Sequence, residues 1–178
     1  MAWKATVRDD PPAEAPPDPV WSPSAPVATV GLLGWIALTF CAPALGFFTP
    51  PGEWYEMLEK PAWNPPAWLF GPVWTVLYLQ MAVAAWLVWK HGGWNANRRP
   101  LGLYLTQLAL NAAWTPAFFG MQNPGLALAV IVLLLAAIAT ALKTFLRVHR
   151  TAGYLLVPYL LWVNFATILN LTLWFMNR

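Results

Sequence analysis

Charged side chains leave four long gaps in this chain: residues 19–52, 61–89, 100–142 and 151–177 contain no Asp, Glu, Lys or Arg. A helix needs about 20 predominantly apolar residues to cross a bilayer core, so each gap predicts membrane-embedded helix. The third gap has room for two spans, and Gly120-Met121-Gln122-Asn123-Pro124-Gly125 supplies the turn between them. The expected fold is an all-α membrane protein, a bundle of five transmembrane helices near residues 27–47, 67–89, 100–119, 124–146 and 153–176. A long, partly helical loop separates the first two.

With 59% hydrophobic and 10% charged residues, one membrane domain over residues 27–176 leaves little material for a soluble domain. Residues 1–26 carry Pro11, Pro12, Pro16, Pro17, Pro19, Pro23 and Pro26 among acids and alanines, which predicts a disordered tail. They lack the order of a signal peptide, so the first span is expected to be retained. The net charge of +3 reflects topology rather than nucleic-acid binding. Lys4, Arg8, Lys90, Arg98, Arg99, Lys143, Arg147 and Arg150 fall on one side of a five-span layout, against Lys60 and Arg178 on the other. Positive residues favour the inner side. The reading is therefore a multi-pass protein with its N-terminus inside and C-terminus outside, with the inner or outer membrane left open.

The connection after the first span is more than a linker. Pro50 and Pro51 suit a helix start, Trp54, Tyr55 and Leu58 can share an apolar face while Glu53, Glu56 and Glu59 meet water, and Lys60-Pro61 ends the segment. This predicts a short amphipathic lid over one end of the bundle. Within the spans, Trp74 and Tyr78 are four apart, as are Trp162 and Ala166, which puts each pair on one helix face. Gln107, Asn111, Trp114 and Phe118 share one side of the third span. Gly102, Thr106, Ala109, Ala113 and Gly120 form a small-residue stripe on the other, suited to close helix approach within the bundle or between subunits. The fourth span is nearly all Leu, Ala, Ile and Val and reads as lipid-facing scaffold. Most of the 13 tryptophans suit interfacial belts, Trp86, Trp89, Trp94 and Trp174 among them. Asn111 and Asn170 can equally serve as bonds to a neighbouring helix.

No Asp or Glu follows Glu59, and His91 and His149 sit in basic loops. The bundle therefore offers no carboxylate for proton relay or general acid–base work, and no histidine for haem or zinc. The single Cys41 can form no intrachain disulfide. A conventional enzyme or an ion-coupled pump is disfavoured, with no metal site expected.

Trp54-Tyr55, then Leu58-Glu59-Lys60-Pro61-x-Trp63-Asn64-Pro65-Pro66, Phe70, Val73-Trp74 and Leu77-Tyr78 follow in order, then Asn111-x-x-Trp114-Thr115-Pro116-x-Phe118-Phe119 and Pro158-Tyr159-x-x-Trp162-x-x-x-Ala166-Thr167-x-Leu169-Asn170. This set closely resembles the translocator protein family, the tryptophan-rich sensory proteins of bacteria and the peripheral benzodiazepine receptors of mitochondria. The resemblance covers residues 27–176. It implies a five-helix bundle, often a homodimer, that binds porphyrins, sterols and aromatic ligands beneath the first loop. Carried over by motif, the pocket would use Tyr55, Trp74, Tyr78, Asn111, Trp114, Trp162 and Ala166. The span-five sterol pattern of the animal members, an apolar residue, then Tyr, then Lys or Arg, has no match here because residues 169–178 lack Tyr.

The implied function is a membrane sensor or receptor for a tetrapyrrole such as protoporphyrin IX, bound as ligand with no cofactor required, in a homodimer built on the small-residue stripe. Alternatives are a porphyrin transporter and a light-dependent porphyrin degrader. In the last case the chemistry would be photochemical, at Trp162, Trp114 and Trp74.

Overall fold

The computed structural model describes residues 21–178; most of the Pro-rich tail lies outside these residues. Among the described residues the chain is helical, without strands. The helices are α1 (Ala25–Ala44), α2 (Glu53–Met57), α3 (Ala67–Lys90), α4 (Gly93–Ala96), α5 (Arg98–Thr115), α6 (Pro124–Val148), α7 (Arg150–Leu155) and α8 (Val157–Met176). Four stretches are long and apolar enough to cross a membrane: α1, α3, α6 and the α7–α8 run, Arg150–Met176. The stretch expected as the third span, α5, starts on Arg98 and Arg99 and buries Gln107 and Asn111, so its composition is too polar to join them.

The helix ends follow from local chemistry. Ala25 and Pro26 belong to the first turn of α1, so the helix begins two residues before the expected boundary; a proline there forfeits no helical hydrogen bond. Pro116 has no N–H to give and ends the regular hydrogen bonding of α5. The chain continues through Pro116–Gly120 as a π-turn, in which the Met121 N–H reaches the Pro116 carbonyl at 2.8 Å. Asn123 then caps α6, its Oδ1 accepting from the Leu126 N–H at 3.0 Å with Pro124 in the first turn. The last span is interrupted at Leu156, just before Pro158, which separates α7 from α8.

The ends of the bundle are tied differently. At one, the rings of His91 and His149 lie 6.0 Å apart, gathering the loops that carry Lys90, Arg98, Arg99, Arg147 and Arg150. At the other, the lid loop meets the C-terminus, where the Glu59 N–H donates to Asn177 Oδ1 at 2.8 Å and Asn177 Nδ2 donates to the Glu59 carbonyl at 3.0 Å. Tryptophans collect at both. Trp86 Nε1 donates to the Ala28 carbonyl, Trp89 packs on Trp21 and over Gly31, and Trp94 is exposed at the basic end; Trp174 lies at the lid end. A Cβ on Gly31 would come within 2.3 Å of the Trp89 ring, so glycine is what lets α1 and α3 close there.

The fourth span is the expected lipid-facing scaffold on one face only, where Leu126, Val132 and Leu133 are exposed; the other face belongs to the core. Ala127, Ile131, Leu134, Ile138, Ala141 and Phe145 are buried, a run of alternating four- and three-residue steps that makes one continuous seam against α5 and α8. Thr140, Lys143 and Arg147 lie on the exposed face. Hydropathy misleads in this case because lipid and protein core are equally apolar, and the seam is selected by shape.

Candidate functional site

All the side chains expected to form a pocket, Tyr55, Trp74, Tyr78, Asn111, Trp114, Trp162 and Ala166, line one cavity of about 500 Å³ between α3, α5, α6 and α8, beneath α2. That volume falls within the roughly 300–1,000 Å³ typical of small-molecule sites. The cavity occupies only the lid-side half of the bundle. Below Tyr78 and Asn111, the next turns bring Met81, Ala85, Tyr104, Ile138 and Tyr159 together without solvent exposure or nearly so.

The floor is a hydrogen-bonded row. Tyr78 Oη donates to Asn111 Oδ1 at 2.7 Å, Asn111 Nδ2 donates to Tyr159 Oη at 3.2 Å, and Tyr159 Oη donates to Gln107 Oε1 at 2.9 Å. A polar group in hydrocarbon must find a protein partner, and this row joins α3, α5 and α8 while satisfying three of its members. Asn170 performs the same task higher up, accepting from Trp114 Nε1 at 3.0 Å and donating to the Pro124 carbonyl at 2.8 Å. Both asparagines thus bond neighbouring helices, and both also face the cavity.

The walls are aromatic. Trp74 stacks on Tyr78 with centroids 5.4 Å apart, Trp114 stacks on Phe118 at 5.1 Å, and Phe70 meets Trp162 edge-on at 5.9 Å. With its indole N–H taken by Asn170, Trp114 offers the cavity a ring face. Trp162 differs: its Nε1 is buried and has no partner. A buried donor left unpaired costs about 1–3 kcal/mol, and a ligand acceptor would remove that cost.

The lid forms as its sequence pattern predicts, but over fewer residues. Pro50 and Pro51 precede the helix, which starts at Glu53 after Gly52. Trp54, Tyr55 and Leu58 turn inward while Glu53, Glu56 and Glu59 are exposed. Tyr55 meets Phe119 at 5.3 Å and Phe118 at 6.2 Å, and Trp54 meets Phe118 at 5.8 Å, so the π-turn after Pro116 is the lid's seat. Burial raises the Tyr55 phenol above its ordinary value and keeps it neutral.

The small-residue stripe points the other way. Thr106, Ala109 and Ala113 are exposed and Gly102 faces open space. Gly120 leaves this row, because the π-turn rotates it toward Thr49, whose Cγ2 would lie 2.8 Å from an added Cβ. Sequence reasoning missed Ile131, Leu134 and Lys60 as cavity-lining residues. The seam spacing of α6 was a usable signal for the first two; Lys60 gave none beyond its place at the end of the lid.

These features define a class: an all-helical membrane protein whose lidded cavity is walled by tryptophan, tyrosine and asparagine. The chain belongs to the TspO/MBR family, whose pattern matches residues 27–175. It is 47% identical to the tryptophan-rich protein TspO of Chlorobaculum tepidum over 142 residues, 75% of this chain and 89% of the relative. It is 44% identical to the human translocator protein over 142 residues, 75% and 84% of the two chains. The tryptophan-rich sensory protein of Cereibacter sphaeroides is 44% identical over 130 residues, 72% and 80% of the two.

Proposed function

We propose that this protein is a membrane sensor or receptor that holds a flat aromatic tetrapyrrole, with protoporphyrin IX as the reference ligand, in the cavity beneath α2. In this reading α5 and its π-turn form the fifth span, with their polar side chains turned inward, and the N-terminus and basic loops lie inside. The observation that carries the reading is the cavity wall, where indole and phenol rings from the lid and three helices surround one space and Trp162 Nε1 is a buried donor without a partner. Such a wall binds by stacking and apolar burial. No histidine lines it, so affinity is expected to rest on the ring rather than on histidine ligation of iron.

Reception is favoured over passage because the basic half of the bundle is closed by fully buried side chains below the Tyr78–Asn111 floor. Titration of tryptophan fluorescence with protoporphyrin IX and with haem tests the proposal. Saturable one-site binding, with the metal-free ring bound at least as tightly, is expected. A histidine-ligated haem spectrum, or binding that requires iron, would overturn it.

A further inference from the structure

We infer that Lys60 is the anchor for a carboxylate-bearing edge of the ligand, so that the cavity selects anionic over neutral flat aromatics. This rests on the tetrapyrrole reading and specifies the orientation of the ligand and its chemical class. Among the residues lining the cavity Lys60 is the only cation, and it stands at the lid end. Its Nζ donates to the Glu56 carbonyl at 3.0 Å and to the Leu58 carbonyl at 3.1 Å, and lies 4.8 Å from the centre of the Tyr55 ring. Those partners are two neutral carbonyls and a π-face. An ammonium has three N–H donors; two are taken by carbonyls and the third meets only the Tyr55 π-face, so a ligand carboxylate can take it, with the full positive charge behind it.

The rest of the cavity dictates which way an amphipathic ring must enter. Carboxylates placed toward the floor would be stripped of water among Leu134, Val163 and Ile131 with no cation to meet them. The ring therefore goes in apolar edge first. Its acidic edge stays under the lid, where Lys60 can give a charge-assisted hydrogen bond. Glu56 is the one carboxylate lining the cavity, and it is exposed at the same end. It opposes the anion through space, so the two charges should act with opposite sign.

The test compares protoporphyrin IX, which carries two propionates, with its uncharged dimethyl ester in the full-length detergent-solubilised protein. Lys60→Met should weaken protoporphyrin IX about five- to tenfold, the scale of a half-exposed charged hydrogen bond, and leave the ester unchanged. Lys60→Arg should keep the preference for the acid, and Glu56→Gln should tighten acid binding about two- to threefold without affecting the ester. Equal weakening of both ligands by Lys60→Met would show that the lysine only caps the lid helix, and no weakening of either would show that it does neither; each overturns the inference while the tetrapyrrole reading stands. If the unaltered protein binds neither ligand, that reading falls and this inference with it.

Discussion

Beside the aromatic seat, one side chain hydrogen-bonds the lid loop to the C-terminal end of the bundle, which makes lid opening a measurable equilibrium. Asn177 pairs with both backbone groups of Glu59, at 2.8 and 3.0 Å, and also donates to the Leu173 carbonyl at 2.9 Å. Asn177→Ala removes the two bonds that cross from α8 to the lid loop. Each is solvent-exposed, and a net contribution of about 0.5–1 kcal/mol apiece gives about 1–2 kcal/mol in total. At 1.4 kcal/mol per factor of ten, the population of open lid rises about 5- to 30-fold. The aromatic seat of Trp54 and Tyr55 on Phe118 and Phe119 is untouched, so the closed form still dominates. Hydrogen exchange monitored by mass spectrometry should show faster exchange at the Tyr55, Glu56 and Glu59 amides, the first two of which now bond to the Gly52 carbonyl. Amides of α3 and α6 should not change, and porphyrin association should quicken. Asn177→Asp keeps the acceptor and loses the donor, so it should fall between. Unchanged lid exchange in the Ala variant would refute the reasoning and leave the aromatic seat as the sole restraint.

Three further outcomes follow from the packing. Ala141→Leu overfills the buried seam of α6 and should cost about 1–3 kcal/mol in thermal unfolding, whereas Leu133→Ala on the exposed face should stay within about 0.5 kcal/mol; equal effects would mean that the seam is misplaced. Ala109→Leu with Ala113→Leu should convert a detergent-solubilised dimer to monomer by light scattering while porphyrin binding survives, and an unchanged oligomer would remove this stripe from the interface. Burial raises the Tyr55 pKa, so docking favours the neutral phenol: lid closure should be complete below the free-tyrosine value of about 10 and weaken as pH rises through the higher docked value. Tyr55→Phe should abolish that pH dependence in the lid's hydrogen exchange.

Much of this architecture can be read from residue spacing. Period-four pairs place Trp74 with Tyr78 and Trp162 with Ala166, and the polar row of α5 turns inward because amides in hydrocarbon must find partners. The lid pattern is legible for the same reason, since glutamates and aromatics sort to opposite faces. Legibility fails where polarity stops discriminating. The inner and outer faces of α6 are both apolar, so only the spacing of Ala127, Ile131, Leu134, Ile138, Ala141 and Phe145 distinguishes them. It fails again at Gly120, where a proline-induced π-turn adds a residue to the helical repeat and carries this glycine from the stripe to the lid loop. The charge gap makes α5 legible as a helix, but its amides and arginines leave it less apolar than the four stretches long and apolar enough to cross a membrane.

The choice between receptor and transporter turns on the half of the bundle that has no cavity. For a rigid porphyrin to leave at the basic end, it must pass the level where Met81, Ala84, Ala85, Val88, Leu101, Tyr104 and Phe145 are fully buried, across the stack of Tyr104 on Phe145 with centroids 6.1 Å apart. Thr39 and Tyr104 share a hydrogen bond of 2.6 Å between α1 and α5 at that level, and the Tyr78–Asn111–Tyr159–Gln107 row lies just above it. Opening it breaks several buried hydrogen bonds at about 1 kcal/mol each and separates a close-packed core, with no carboxylate or histidine in the long helices to drive the change. The lid end, by contrast, opens by undocking a five-residue helix. Proteoliposomes should therefore bind protoporphyrin IX at the lid-exposed face, saturably, without delivering it to the other side faster than protein-free vesicles do. Trapping a lumenal apoprotein acceptor and following its porphyrin fluorescence reads delivery directly. Flux that depends on the protein, and that is lost in Trp162→Ala, would overturn the dead-end cavity and make passage the function.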